Sequence, residues 1–239
     1  MIVLAMETAT AVCGAALIED DRVLKEEFIE VPQKHSEHII GLIERTLEGA
    51  GTNLHAIDAL AVSIGPGSFT GLRVGLSVAK GLACAVEKPL TAVSTLEALA
   101  RNVARQQALR GPALVLSTID ARRDELFAAA YRVENSHLTQ TISPRAVFLE
   151  ELYHLLDGEQ KIILVGNGTE KFQEFIMKID TSGRFVIPSR ELRVCSAAAV
   201  GLVGVEQLLR GEKADISSLE PLYIKEFFTT MKPPHHIKH

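Results

Sequence analysis

Tryptophan is absent from this chain, and aromatic residues of any kind are few: 9 Phe and 3 Tyr in 239 residues. That scarcity argues against base-stacking platforms and requires a core built from aliphatic side chains and alanine. Cysteine is sparse too. Cys13, Cys84 and Cys195 are odd in number, widely spaced and without a CxxC pair, which predicts reduced, buried, intracellular thiols. Positive charge is in deficit, with 25 Lys+Arg against 30 Asp+Glu and a formal net charge of −5. A protein that grips nucleic acid unaided needs the opposite sign. Long hydrophobic runs are missing: the longest, Val194–Val205, falls short of the ~18 residues of a spanning helix. The opening MIVLAMETAT has no basic segment and reaches Glu7 too soon for a signal peptide. These absences predict a cytoplasmic chain without a membrane segment.

What is present is ordinary globular material, 47% hydrophobic and 23% charged, enough for one large domain or two small ones. Hydrophobic periodicity predicts strands over Ile2–Met6, Ala11–Ile18 and Val23–Val31, a helix over Ser36–Ala50, and a strand over Ile57–Ile64. A long helix over Ser68–Val86, a strand over Leu90–Val93 and a helix over Thr95–Leu109 complete a βββαβαβα run. After the break at Gly111-Pro112 the same order starts again. Strands are expected at Ala113–Ile119, Leu126–Val133 and Leu138–Ile142, then a helix at Phe148–Leu156 and a strand at Ile162–Val165. A helix at Thr169–Lys178, a short strand at Phe185–Ile187 and a helix at Ser196–Leu209 close the second run. The fold class expected is therefore a duplicated α/β unit, two lobes facing each other across a cleft. The division expected is 1–110, 111–219 and a partly docked tail, 220–239.

The loudest motif is Gly65-Pro66-Gly67-Ser68-Phe69-Thr70-Gly71, between a strand and a helix. Backbone N–H groups at such a junction can cradle a phosphate. The spacing matches neither a dinucleotide fingerprint nor a P-loop, and the chemistry favours a tight turn with Ser68 as N-cap. Glu7-Thr8-Ala9-Thr10 ends the first strand, and Asp120-Ala121-Arg122 ends its counterpart in the second half. Acids there hold Mg²⁺ in two-lobed ATPases, though Ala9 puts a Cβ where a glycine would let a nucleotide approach. Gly166-Asn167-Gly168 is a weak adenosine-loop candidate. His35 and His38 lack a third ligand nearby, and Ser36-Glu37 reads as helix capping. No Cys–His, Ser–His–Asp or HExxH pattern occurs.

The helix beginning near Gly71 carries Arg73, Ser77, Lys80 and Cys84 on one narrow stripe, with apolar or small residues over roughly 220° of its circumference. Val74, Val78, Leu82 and Ala85 are expected to face the sheet. Leu72, Leu76, Ala79 and Ala83 then need a second cover, either another helix of the same chain or a partner subunit.

The strings GPGSFTGLRVGLSVAKGLA, VLAMETATAVCGAAL, HSEHIIGLIE, AVSTLEALA, IDARRDELFAAAY and PLYIK together resemble the TsaB family, also called YeaZ. The resemblance is strongest over residues 1–130 and runs on to Lys225. It implies a two-lobed actin-like ATPase (ribonuclease H-like) fold. It also implies a subunit needed for N6-threonylcarbamoyladenosine formation beside the tRNA anticodon, with the chemistry done by the paralogue TsaD. Where TsaD has an acidic pair, this chain has Ala11 and Val12; where TsaD has two metal-ligating histidines, it has Thr95 and Leu99. Neither Thr nor Leu replaces imidazole as a ligand.

The resemblance thus implies a degenerate homologue with no catalytic residue, no metal and no cofactor, working with TsaD and the ATPase TsaE. Homodimerisation through the same surface is implied as well, and contact with tRNA only through the complex. The interface expected is Ile39 and Ile43 with Leu72, Arg73, Leu76, Ala79, Lys80 and Ala83. A vestigial nucleotide cleft would comprise Glu7, Thr8, Thr10, Asp120, Gly166 and Gly168. The competing reading is an ATP- or metal-dependent enzyme of the same superfamily, a transferase or an M22-type peptidase.

Overall fold

A computed structural model describes residues 1–30, 34–105, 111–135 and 137–224. Strands β1 (Ile2–Glu7), β2 (Val12–Glu19) and β3 (Arg22–Glu30) form an antiparallel meander. Helix α1 (His35–Gly49) leads to β4 (Ala59–Gly65), parallel to β1, and α2 (Phe69–Val86) leads to β5 (Leu90–Ser94), parallel to β4. Helix α3 (Thr95–Arg105) ends the first run; its expected continuation to Leu109 lies outside the described residues, as does Val31.

The second run repeats the plan. Strands β6 (Ala113–Asp120), β7 (Glu125–Glu134) and β8 (His137–Phe148) form the meander. Helix α4 (Leu149–Leu155), β9 (Ile162–Val165), α5 (Thr169–Ile176) and β10 (Phe185–Val186) follow, then α6 (Arg190–Arg193) and α7 (Ala197–Leu209). The strand orders are β3-β2-β1-β4-β5 and β8-β7-β6-β9-β10, the same topology twice. Strand β8 outruns its expected Leu138–Ile142 because Ser143 and Pro144 are absorbed by a register shift opposite Ala128 and Ala130. It lies at a sheet edge, where proline's missing N–H is tolerated.

Strand alternation sorts the core into layers. Leu4, Met6, Leu17, Leu60 and Val62 face α1 and α2 on the outside of the first sheet. Val3, Ala5, Ile18 and Ala61 face the opposite way, into a central layer shared with α3 and α7. Val115, Ile119, Tyr131 and Val165 of the second sheet meet that layer from the other side. Leu114, Leu116, Leu126 and Leu164 face α4 and α5. Helix α7, late in the second run, packs against β1, β2 and β4, whereas α3 of the first run packs on β6 and β7. The expected 111–219 division therefore holds a helix seated on the other lobe's sheet. Close approach explains the alanine-rich composition: a Cβ on Gly201 would meet Ile18 Cγ1 at 2.4 Å, and one on Gly204 would meet Ala61 Cβ at 2.5 Å.

Helix α2 is capped by Ser68, whose hydroxyl accepts from Gly71 N at 3.3 Å. It is long and apolar enough by length and composition to cross a bilayer, yet its inner face is fastened to this fold. Thr8 Oγ1 donates to Gly71 O at 2.8 Å. A Cβ on Gly75 would lie 2.1 Å from Thr8 Oγ1, so Gly75→Ala is expected to destabilise by about 1–3 kcal/mol through overpacking. Gly81, on the same helix, has nothing within 4 Å of its notional Cβ, so Gly81→Ala is expected to gain up to about 1 kcal/mol. Paired urea-denaturation curves check both.

Candidate functional site

The tips of the β1–β2 and β6–β7 hairpins face each other across a cavity of about 1260 Å³. Ala9 and Thr10 contribute from one lobe, Asp120, Arg122 and Asn167 from the other, and Leu222 and Tyr223 close one side. Each hairpin is backed by a glycine-bearing loop. Ser68 N donates to Ala9 O at 2.7 Å and Gly168 N to Thr118 O at 3.2 Å. The glycines exist for this contact: a Cβ on Gly67 would sit 2.2 Å from Ala9 O, and one on Gly166 1.9 Å from Thr118 O.

Of the residues expected at a nucleotide cleft, Thr10 and Asp120 line the cavity. Glu7 and Thr8 are wholly buried behind its wall. Gly166 and Gly168 are packed against Thr118, and Gly168 also against Leu126. Glu7 Oε1 accepts from Ala9 N at 2.8 Å, Thr10 N at 3.0 Å and Thr10 Oγ1 at 3.2 Å. The Cys195 thiol donates to Glu7 Oε2 at 3.3 Å, a partner 188 residues away that nothing in the local sequence signals. Asp120 Oδ1 accepts from Arg122 N at 2.9 Å and from Lys171 Nζ at 2.6 Å. Burial acts to raise the Asp120 pKa, but Lys171 and the Arg122 N–H outweigh it and hold the carboxyl below its ordinary value. Arg122 and Arg123 both have left-handed φ, 73° and 48°, strained for side chains of this kind.

Glu7 behaves in the opposite way. Burial raises its pKa above the ordinary 4.5, against hydrogen bonds from Ser63, Cys195, Thr10 and Ala9. A carboxyl whose folded pKa is raised contributes stability fully below its unfolded pKa and loses it as pH climbs through the folded value. Glu7→Gln keeps an acceptor oxygen and removes the titration. Its stability relative to the parent is therefore expected to rise as pH climbs above the ordinary carboxyl value of 4.5, read as the difference in Tm. A difference that is flat with pH counts against the burial.

His35 Nε2 lies 3.0 Å from Thr10 O, tying α1 to the same hairpin. Among the described residues no three His, Cys, Asp or Glu side chains converge as a metal site would require. Thr95 and Leu99 are both fully buried.

The second feature is the outer face of α1 and α2. Ile39, Ile43, Leu72, Leu76, Ala79 and Ala83 are all buried within this chain, which exchanges the two sides of α2 relative to the sequence expectation. Gly71 and Gly75 lie between the two sides of the helix, and their missing side chains let α2 close on Thr8. Val74, Val78 and Leu82 are instead half-buried, Ile40 is 47% exposed and Phe69 40%. A groove of about 500 Å³ runs between the helices, lined by Ile39, Ile40, Phe69, Val74 and Val78. Arg73 stands at its end with its guanidinium 3.9 Å from the Phe69 ring centroid, donating from Nε to Tyr223 Oη at 3.2 Å. Lys80 is half-buried on the polar stripe.

Two sheets of identical topology, joined through α3 and α7 and enclosing a cleft between paired hairpins, define a two-lobed α/β protein of the actin-like ATPase fold. A solved structure of the activator of the 2-hydroxyisocaproyl-CoA dehydratase from Clostridium difficile shares that fold alone, with a TM-score of 0.52 and 8% identity over 88% of this chain and 97% of that one. YeaZ from Pseudomonas aeruginosa is far nearer, with a TM-score of 0.78 and 28% identity over 93% of this chain and 99% of that one. A family model described as "TsaD: tRNA N6-adenosine threonylcarbamoyltransferase" matches residues 29–227. The tRNA threonylcarbamoyladenosine biosynthesis protein TsaB of Escherichia coli (strain K12) is 31% identical over 98% of this chain and 99% of its own length. Its namesake in Bacillus subtilis (strain 168) is 26% identical over 94% of each. The tRNA N6-adenosine threonylcarbamoyltransferase of Brucella ovis is 35% identical, over only 48% of this chain and 38% of that protein. The chain belongs to the TsaB (YeaZ) family.

Proposed function

We propose that this chain is a non-catalytic subunit of tRNA N6-threonylcarbamoyladenosine formation that binds and stabilises a TsaD enzyme. The observation that carries the reading is the apolar groove between α1 and α2, where Ile40 and Phe69 are exposed and Val74 and Val78 half-buried. Exposed apolar surface of this kind marks a protein contact. The degenerate positions support the other half of the proposal. Thr95 and Leu99 stand in the interior where the TsaD pattern has histidines, and neither a neutral hydroxyl nor an aliphatic side chain replaces imidazole as a ligand.

On this reading TsaD or a second copy of the chain covers the groove, and TsaE joins the larger assembly. The tRNA meets the subunit only through the complex, since a net charge of −5 supplies little counterion release. The site of action is the cytoplasm. The test is reconstitution of the tRNA modification with each component omitted in turn. Omission of this chain should abolish modification, and TsaD should co-purify with it. A chelator applied to this chain alone, and removed before mixing, should change nothing. Lost activity after that treatment would favour the metal-dependent transferase or peptidase reading instead.

A further inference from the structure

The two cleft hairpins share a device that their sequences do not. At the end of β1, Glu7 takes the N–H groups two and three residues on, those of Ala9 and Thr10. At the end of β6, the topological counterpart of β1, Asp120 takes the N–H two residues on, that of Arg122. The supporting loops are closed in the same way, with Ser68 N spent on Ala9 O and Gly168 N on Thr118 O. Asp120 N is spent on Asn167 Oδ1 at 3.0 Å, and Asp120 also holds Lys171.

We propose that Glu7 and Asp120 decide what the cleft accepts: each carboxyl group holds the backbone donors of its own hairpin, and phosphate-bearing ligands are excluded. A phosphate is held by convergent backbone N–H groups. A carboxyl oxygen that already receives two of them within 3.0 Å occupies the phosphate's role from behind the wall. Glu7 is wholly buried, so solvent cannot exchange with it, and its second oxygen is engaged by Cys195. A ligand would have to break these bonds and leave a buried carboxyl without partners, which is costly. Asp120 denies the opposite wall both an N–H and the Lys171 ammonium. This inference concerns the cleft and stands or falls independently of what covers the α1–α2 groove.

The experiment uses the isolated full chain, with ADP and inorganic phosphate as separate titrants and amide hydrogen exchange as the second readout. The parent chain is expected to show no saturable response to either titrant and slow exchange at Ala9 and Thr10. In the Glu7→Ala/Asp120→Ala double variant, exchange at Ala9, Thr10 and Arg122 should accelerate about tenfold or more, and ADP affinity should rise at least about tenfold. Glu7→Gln guards against a folding defect, because its amide oxygen preserves both N–H bonds; it should exchange and titrate as the parent does. Saturable micromolar ADP binding by the parent overturns the proposal. So does a folded double variant whose amides are released while its ADP affinity is unchanged, or ADP binding gained by Glu7→Gln with exchange unaltered.

Discussion

Leu76→Arg is expected to unfold the chain instead of merely releasing a partner. Leu76 is 5% exposed and belongs to the cluster that includes Leu4, Met6, Ile39, Leu42 and Leu60, between the first sheet and α1. Removing a buried leucine costs about 2–5 kcal/mol. An unpaired buried charge adds several kcal/mol more. The sum rivals the whole stability of a typical domain, about 5–15 kcal/mol. Circular dichroism during urea denaturation is the measurement, and the variant should show a collapsed midpoint or no folded baseline. A stable variant would mean that the Leu72–Leu76 side of α2 faces outward after all.

Val78→Asp is the complementary experiment and should do the reverse. Val78 is half-buried on the outer side of α2 and lines the α1–α2 groove with Ile40 and Val74. A carboxylate there reaches water when the chain is alone, so the folded state should lose only about 0.5–1 kcal/mol. Once a partner seals the groove, the same carboxylate is desolvated without a counter-charge. The expected loss is on the scale of an interface hot spot, at least about 2 kcal/mol or roughly thirtyfold in Kd. Calorimetric titration against TsaD, with sedimentation of the chain alone, reads both complexes. Unchanged affinity in a variant with a parental dichroism spectrum would remove the groove from the interface.

Much of the architecture is legible along the chain because burial on a sheet and burial along a helix leave different periods. Leu4 and Met6 alternate with Val3 and Ala5 into opposite layers, and that alternation is written in MIVLAMET. Ser68 as N-cap was equally legible, since cap chemistry is local. The candidate site was harder to read. Cys195 and Tyr223 reach Glu7 and Arg73 across 188 and 150 residues, and no spacing rule connects such pairs.

The sequence by itself determined the duplicated βββαβαβα order and the aliphatic core. Both depend on residue type and short-range pattern. Which side of α2 is buried was decided only by the tertiary structure. A helix apolar over most of its circumference offers two nearly equivalent faces, and local hydrophobicity cannot choose between them. The choice falls to tertiary contact: Gly71 and Gly75 let the backbone close on Thr8, 63 residues away for the Thr8–Gly71 bond, and no local pattern encodes that partner. Glu7 follows the same logic. Its residue type announces an acid at a cleft, but only the folded hairpin turns that acid inward, onto its own backbone.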